Sequence, residues 1–180
     1  MKGVILNLVE EAVVLQHGDA VWDRILVDAD LDGVWTSLGN YPDDALPRLV
    51  GAGSELLGVA EADLCVELGR HATQGLSQRY PGHFAAHDDV RSFLLTLDDL
   101  VHAEVVRLHP DAQPPRFWFD DGEDGSLLVH YRSHRSLCAL AEGMIEGAGV
   151  VYDEPTAVHH EACQLHDAPH CSLRVTFETG

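Results

Sequence analysis

The stretch Tyr131-Arg132-Ser133-His134-Arg135 decides how this 180-residue chain is read. As a β-strand it would place Tyr131, Ser133 and Arg135 on one face, because successive side chains alternate. Arg135 then offers a planar fork of donors that fits a carboxylate bidentately, and the two hydroxyls can each add a hydrogen bond. Such a trio reads as a clamp for carboxylates. Upstream lies His102, in Leu97-Asp98-Asp99-Leu100-Val101-His102-Ala103-Glu104-Val105, whose apolar residues have helical spacing that ends near Pro110. A helix can aim that imidazole inward. His109, at the helix end, is the competing ligand.

A dicarboxylate that also takes one axial imidazole is haem. In these residues the chain resembles the H-NOX (haem nitric oxide/oxygen binding) family. There a Y-x-S-x-R pattern clamps the haem propionates, an L-x-H helix supplies the proximal iron ligand, and a proline in a P-P-x-F turn presses on the porphyrin. The matching residues are Tyr131, Ser133 and Arg135, then His102, then Pro115 in Pro114-Pro115-Arg116-Phe117. One residue, Val101, separates Leu100 from His102. Met1 to Asn7, Trp22, Tyr41-Pro42-Asp43 and Leu137 to Val151 are also similar to the family, so the resemblance spans essentially the whole chain. It implies a haem contact for Ile5 as well as Pro115.

Length and charge bound the alternatives. No Pro/Gly/Ser-rich linker divides the chain, and its length suits one domain, expected over 1–180. By the resemblance, about 1–60 forms a distal helical subdomain and about 61–180 a proximal haem-binding and sheet subdomain. A net charge of −19 argues against nucleic acid and against an anionic membrane surface. The early apolar run Val4 to Val9 is too short for a signal segment, and no stretch approaches the roughly 20 apolar residues of a membrane span. A cytoplasmic protein is expected. Without a C-x-x-C-H attachment motif, any haem is non-covalent haem b.

Periodicity predicts helices over Gly3–His17, Ala20–Asp28, Ala45–Leu57, Ala60–Arg79 and Val90–Leu108. The period then changes. Phe117–Asp120 and Ser126–Ser133 flank the hairpin signature Asp121-Gly122-Glu123-Asp124-Gly125, Ser136–Val151 is helical again, and Thr156–Cys163 and Cys171–Thr179 read as strands. The class is α+β: a helical first half packed on an antiparallel sheet with one inserted helix. By the resemblance, haem is held between the two.

Cys138, Cys163 and Cys171 crowd the last quarter, with His159, His160, His166 and His170 nearby. In a cytosolic protein such clustering favours a metal over a disulfide. Cys138, His160, Cys163 and Cys171 make a Cys₃His set of the kind that holds Zn²⁺ tetrahedrally, and His166 or His170 can replace His160. Some H-NOX proteins are similar here too. Cys65 reads as a buried free thiol on a helix.

The resemblance also bears on ligand choice. Bound oxygen needs a distal hydrogen-bond donor, whereas nitric oxide and carbon monoxide bind ferrous iron without one. Oxygen-binding members carry a tyrosine five residues after the clamp arginine. That position here is Leu140, in an apolar segment that includes Met144. The pocket should exclude oxygen, with Gln74 and His71 as the residues that would overturn this if they point inward. The family mechanism implies that nitric oxide binding releases the proximal His102. The signal then passes in trans to a histidine kinase or a cyclic-di-nucleotide enzyme. No kinase, cyclase or phosphodiesterase motif is present, and no enzymatic activity is expected. The alternative is a haem-independent zinc/thiol redox sensor that acts through cysteine oxidation.

Overall fold

The computed structural model describes residues 1–108, 110 and 112–178, with side chains at all of these except Leu100, Val101, Glu104 and Leu108. His109, the competing ligand, lies outside the described residues.

Helices α1 (Gly3–His17), α2 (Asp19–Ala29), α3 (Ala45–Leu57) and α4 (Glu61–Arg79) build the first half. Leu6, Val9 and Val13 recur every three to four residues along α1 and are buried together with Trp22, Ile25, Leu46 and Leu49. This amphipathic pattern fixes both the helix and its inward face. Gly18 ends α1 at φ 84°, a left-handed conformation that a side chain would strain, and donates its N–H to the Val14 carbonyl.

After α4 come the short helices α5 (Pro81–Phe84) and α6 (Val90–Leu94), a π-helical turn (Leu97–His102) and α7 (Ala103–Leu108). The single helix expected over Val90–Leu108 is therefore broken. Thr96 turns its hydroxyl onto the Phe93 carbonyl at 2.8 Å, the local side-chain bond that competes with a continuing helix. The chain then widens to the π form on the way to His102.

Strands β1 (Arg116–Asp121), β2 (Leu127–Arg132), β3 (Thr156–Ala162) and β4 (Cys171–Phe177) form one antiparallel sheet ordered β1-β2-β4-β3. Helix α8 (Cys138–Val151) lies between β2 and β3 in sequence. The inward residues Leu127, Val129, Tyr131, Cys171, Leu173 and Val175 form a second apolar cluster with Cys138, Ala141 and Ile145 of α8. Leu140, on another side of the same helix, belongs to the first cluster. So α8 is the element shared by both cores. Its contact with α4 is glycine-mediated: a Cβ on Gly143 would stand 2.0 Å from the Val66 carbonyl oxygen, and one on Gly69 would stand 2.4 Å from that of Leu140.

The strand expected to carry the whole clamp stops at Arg132. Ser133 donates its backbone N–H to Gln164 Oε1 at 3.2 Å, the Ser133 hydroxyl accepts the Arg135 N–H at 3.2 Å, and Ser136 has φ 51°. These bonds turn the chain out of the sheet. Strand alternation therefore does not extend to Ser133 and Arg135, the other two residues expected in the clamp.

Candidate functional site

His102 closes the π-helical turn with its ring largely buried. The ring hydrogen-bonds the Pro115 backbone, where only the carbonyl can accept, and burial holds its pKa below the ordinary histidine value against the opposing pull of Asp98 and of that bond. Among the described residues Nδ1 has no hydrogen-bond partner, and it lies 4.0 Å from Asp98 Oδ1. A neutral imidazole with one nitrogen held by a backbone carbonyl and the other orphaned in the interior is the state of a metal-ligating histidine. On that observation the residue fits a haem iron.

Around it, Phe117 stacks on the His102 ring with centroids 5.6 Å apart and meets Tyr131 edge-on at 5.5 Å. Asp98 accepts the Phe117 N–H at 3.0 Å, which fastens the start of β1 to the π-helical turn. Tyr131 is buried, and that burial raises its pKa to about 12 despite hydrogen bonds to Ser133 and the Leu137 backbone. Ser133 is buried beside it.

The guanidinium of Arg135 is engaged at two corners: Nε donates to Asp43 Oδ1 at 2.6 Å and Nη1 to the Gln113 carbonyl at 2.5 Å. His134 Nε2 lies 2.7 Å from Asp43 Oδ2. Burial would raise the Asp43 pKa, but the bonds from His134, Arg135 and the amino-terminal ammonium hold it well below the carboxylate range. A carboxylate of the protein thus already sits where a carboxylate ligand was expected. Sequence reasoning took Asp43 only as part of the family-like Tyr41-Pro42-Asp43 segment and missed it as the partner of Arg135.

Ile5 is half-buried on α1 and belongs to neither apolar cluster. Pro115 is half-buried before β1, and Leu140 and Met144 pack with Val9 and Leu68 in the first cluster. Gln74 gives its amide to the Arg70 carbonyl at 3.3 Å and lines, with His71, an open groove of about 820 Å³ between α1 and α4. Asn7, Glu10 and Asp19 line the same groove.

Three of the four expected zinc ligands come together. The sulfurs of Cys138, Cys163 and Cys171 all lie within 4.8 Å of one another and are buried. Cys163 Sγ is 3.5 Å from Cys138 Sγ and 3.7 Å from Cys171 Sγ, far too long for a disulfide. A tetrahedral zinc with Zn–S near 2.3 Å spaces its sulfurs about 3.8 Å apart, so the donor set fits such an ion. Gln164 N–H points at Cys171 Sγ at 3.2 Å, as amides around metal thiolates do. Without a cation, burial first, then the neighbouring sulfurs, pushes the Cys138 thiol up, and burial does the same to Cys171. The structure does not bring His160 into this cluster. Its Nε2 lies 2.9 Å from Glu142 Oε2 on α8. His170 packs against Trp118, and His166 is exposed.

A family model described as haem-NO-binding (HNOB) matches residues 2–160. An H-NOX protein from S. oneidensis in the Fe(II)NO ligation state is 28% identical and superposes with a TM-score of 0.92 over 99% of this chain and 100% of that one. An oxygen-binding H-NOX domain related to soluble guanylate cyclases shares the fold, with a TM-score of 0.83 over 99% of this chain and 96% of that one at 24% identity. Soluble guanylate cyclase gcy-35 of Caenorhabditis elegans is 27% identical over 160 residues, 85% of this chain but 23% of that protein, so the chain spans about a quarter of that relative's length. The chain belongs to the haem-NO-binding family and has the H-NOX fold of these gas-sensor domains.

Proposed function

We propose that this chain is a haem-based sensor of nitric oxide and carbon monoxide that excludes oxygen and reports by release of His102 to a partner in trans. The partner class implied by the family resemblance is a histidine kinase or a cyclic-di-nucleotide enzyme. The observation that carries the reading is the buried, neutral His102, with one ring nitrogen on the Pro115 backbone and Nδ1 without a hydrogen-bond partner among the described residues. When bound, the haem would supply a ferrous iron with one coordination position for a diatomic gas.

In this reading His102 is the axial ligand, Tyr131, Ser133 and Arg135 hold the propionates, and Ile5 and Pro115 bear on the ring, between a distal part near 1–60 and a proximal part near 61–180. Arg135 keeps Nη2 for a propionate while Nε and Nη1 stay on Asp43 and Gln113. Leu140 and Met144 line an apolar distal side with Val9. Thr73 spends its hydroxyl on the Met144 carbonyl at 2.9 Å, and Gln74 and His71 line the open groove between α1 and α4 rather than the apolar cluster of Leu140 and Met144, so none of them supports a bound oxygen. Single π-helical turns recur at functional sites, and the one that His102 closes is the element that would change shape when His102 is let go.

The test is His102→Gly. Reduced wild-type protein supplied with haem should show a ferrous haem band, the variant should lose it, and added imidazole should restore it. A variant that keeps the native band without imidazole would remove His102 from the reading.

The three-thiol cluster supports zinc binding by Cys138, Cys163 and Cys171, while His160 stays on Glu142 outside the cluster. It also supports the second reading, a haem-independent zinc/thiol redox sensor. A peroxide would oxidise two thiolates to a disulfide, itself being reduced to water, and free the metal. Partner regulation that survives His102→Ala but is lost in Cys163→Ala would select this second reading.

A further inference from the structure

In a chain with 30 acidic and 11 basic residues, an arginine without a carboxylate is unexpected. Arg24, Arg48, Arg70, Arg79, Arg91 and Arg174 each lie against at least one, as Arg135 lies against Asp43. Arg116 and Arg132 do not: among the described residues neither has a hydrogen-bond or ion-pair partner. They are also directly opposite each other in the β1–β2 register, and both are exposed. Like charges placed opposite on adjacent strands destabilise a sheet. Among the described residues no carboxylate neutralises the pair.

The same outer face carries Trp118, 39% exposed, stacked on His130 at 5.2 Å and 17° and flanked edge-on by His170 at 4.8 Å. His130 is in turn pinned, with Nδ1 3.0 Å from Ser172 Oγ and Nε2 3.0 Å from Asp120 Oδ2. Ser172 lies on β4, paired on both sides, and the trio fixes the ring plane under the indole. A rigid exposed tryptophan beside arginines is the residue combination that dominates protein interfaces. The face also borders the candidate haem site. Arg116 follows Pro115, which holds the His102 ring, and Arg132 stands between Tyr131 and Ser133.

We propose that this outer sheet face, centred on Arg116, Arg132 and Trp118, is the docking surface for a carboxylate-rich segment of a protein partner. Charge complementarity selects the occupant. The net charge of −19 repels an extended polyanion such as nucleic acid or an anionic bilayer, whereas a short acidic segment need meet only the local pair. The proposal rests on the in-trans reading for its purpose, and its chemistry stands apart from gas binding.

The probe is an oligoglutamate peptide titrated calorimetrically into the haem-loaded protein at low and at physiological salt. Binding should weaken with salt and fall at least about tenfold in Arg116→Gln/Arg132→Gln, with Arg24→Gln unchanged. Arg132→Gln alone should raise the melting temperature by about 1–3 °C, because it relieves the like-charged pair. Peptide binding that is absent, or equal in wild type and double variant, overturns the proposal, as does a lowered melting temperature in Arg132→Gln. Retention on phosphatidylserine vesicles that needs both arginines, without peptide binding, assigns the face to lipid and overturns it too. A protein that binds the peptide but gives no nitric oxide response keeps this proposal and loses the sensor reading, and the reverse result sinks this one alone.

Discussion

Arg135 Nε donates to Asp43 Oδ1 at 2.6 Å, across 92 positions of sequence. The bond ties the turn that carries the proposed clamp to the segment between α2 and α3. The amino-terminal ammonium, 3.0 Å from the same oxygen, brings the start of α1 into the cluster. A carboxylate ligand entering at Arg135 therefore meets a guanidinium already oriented from the helical half. Such a fork gains affinity because little freedom remains to be lost.

Asp43→Asn should loosen this orientation. The cluster is partly solvent-exposed, which limits its worth to about 1 kcal/mol and a fall of about 2–4 °C in melting temperature near neutral pH. The pH dependence has a definite sign. The folded pKa of Asp43 lies below its unfolded value, so its contribution is present above about pH 4 and is lost as pH falls further. Thermal melts from pH 6 downward should show wild type losing its advantage over the variant on the acid side. A constant gap would remove Asp43 from the account.

Cys65 predicts the opposite limb. Burial first, then Glu61, raises its thiol pKa from 9.0 to about 11. The folded state favours the neutral thiol, so its contribution is intact below pH 9 and is lost as pH rises toward 11. Cys65→Ala should lower stability at pH 7 by leaving a small void, yet show a flatter decline between pH 9 and 11. Denaturant melts across that range measure both.

Gly143→Ala tests the seam between α4 and α8. Its Cβ would meet the Val66 carbonyl oxygen at 2.0 Å, a backbone atom that cannot turn aside. Destabilisation on the order of 3 kcal/mol is expected by denaturant melt. Gly58→Ala meets no neighbour within 4 Å and should cost less, through its φ of 69° alone.

The thiol cluster predicts one zinc per chain in protein purified without chelator. Cys163→Ala should lose it, since Cys163 is the sulfur within 3.7 Å of both others. His160→Ala should keep the zinc, because its ring bonds Glu142 and stands outside the three thiolates. Zinc released on thiol modification, read with a chromogenic chelator, gives the stoichiometry. A metal-free wild type after zinc supplementation would contradict the assignment.

How far the sequence carried these conclusions differs by element. The ends of α1 and α3 follow from an apolar stripe closed by Gly18 and Gly58, and both agree with the expected spans. The break near Thr96 and the turn after Arg132 do not follow from periodicity. Both depend on side chains that bond backbone groups: Thr96 to Phe93, and Gln164 to Ser133 from 31 residues away. The three cysteines were legible because their residue type is rare and clustered. The position of His160 was not, because a β-bulge between His160 and Ala162 shifts the register and α8 sets Glu142 opposite it. Asp43 was legible within Tyr41-Pro42-Asp43 but not as the partner of Arg135, since one acidic residue among 30 does not announce a contact 92 positions away.

The central claim is that His102 holds a haem whose distal side favours nitric oxide over oxygen. The most direct test is the visible absorption of the dithionite-reduced, haem-loaded protein, recorded before and after nitric oxide and, on a separate sample, after air. The account predicts a five-coordinate ferrous spectrum that becomes a five-coordinate nitrosyl spectrum, with no stable oxygen complex. A stable oxygen complex, or a nitrosyl spectrum that remains six-coordinate with His102 still bound, would contradict it.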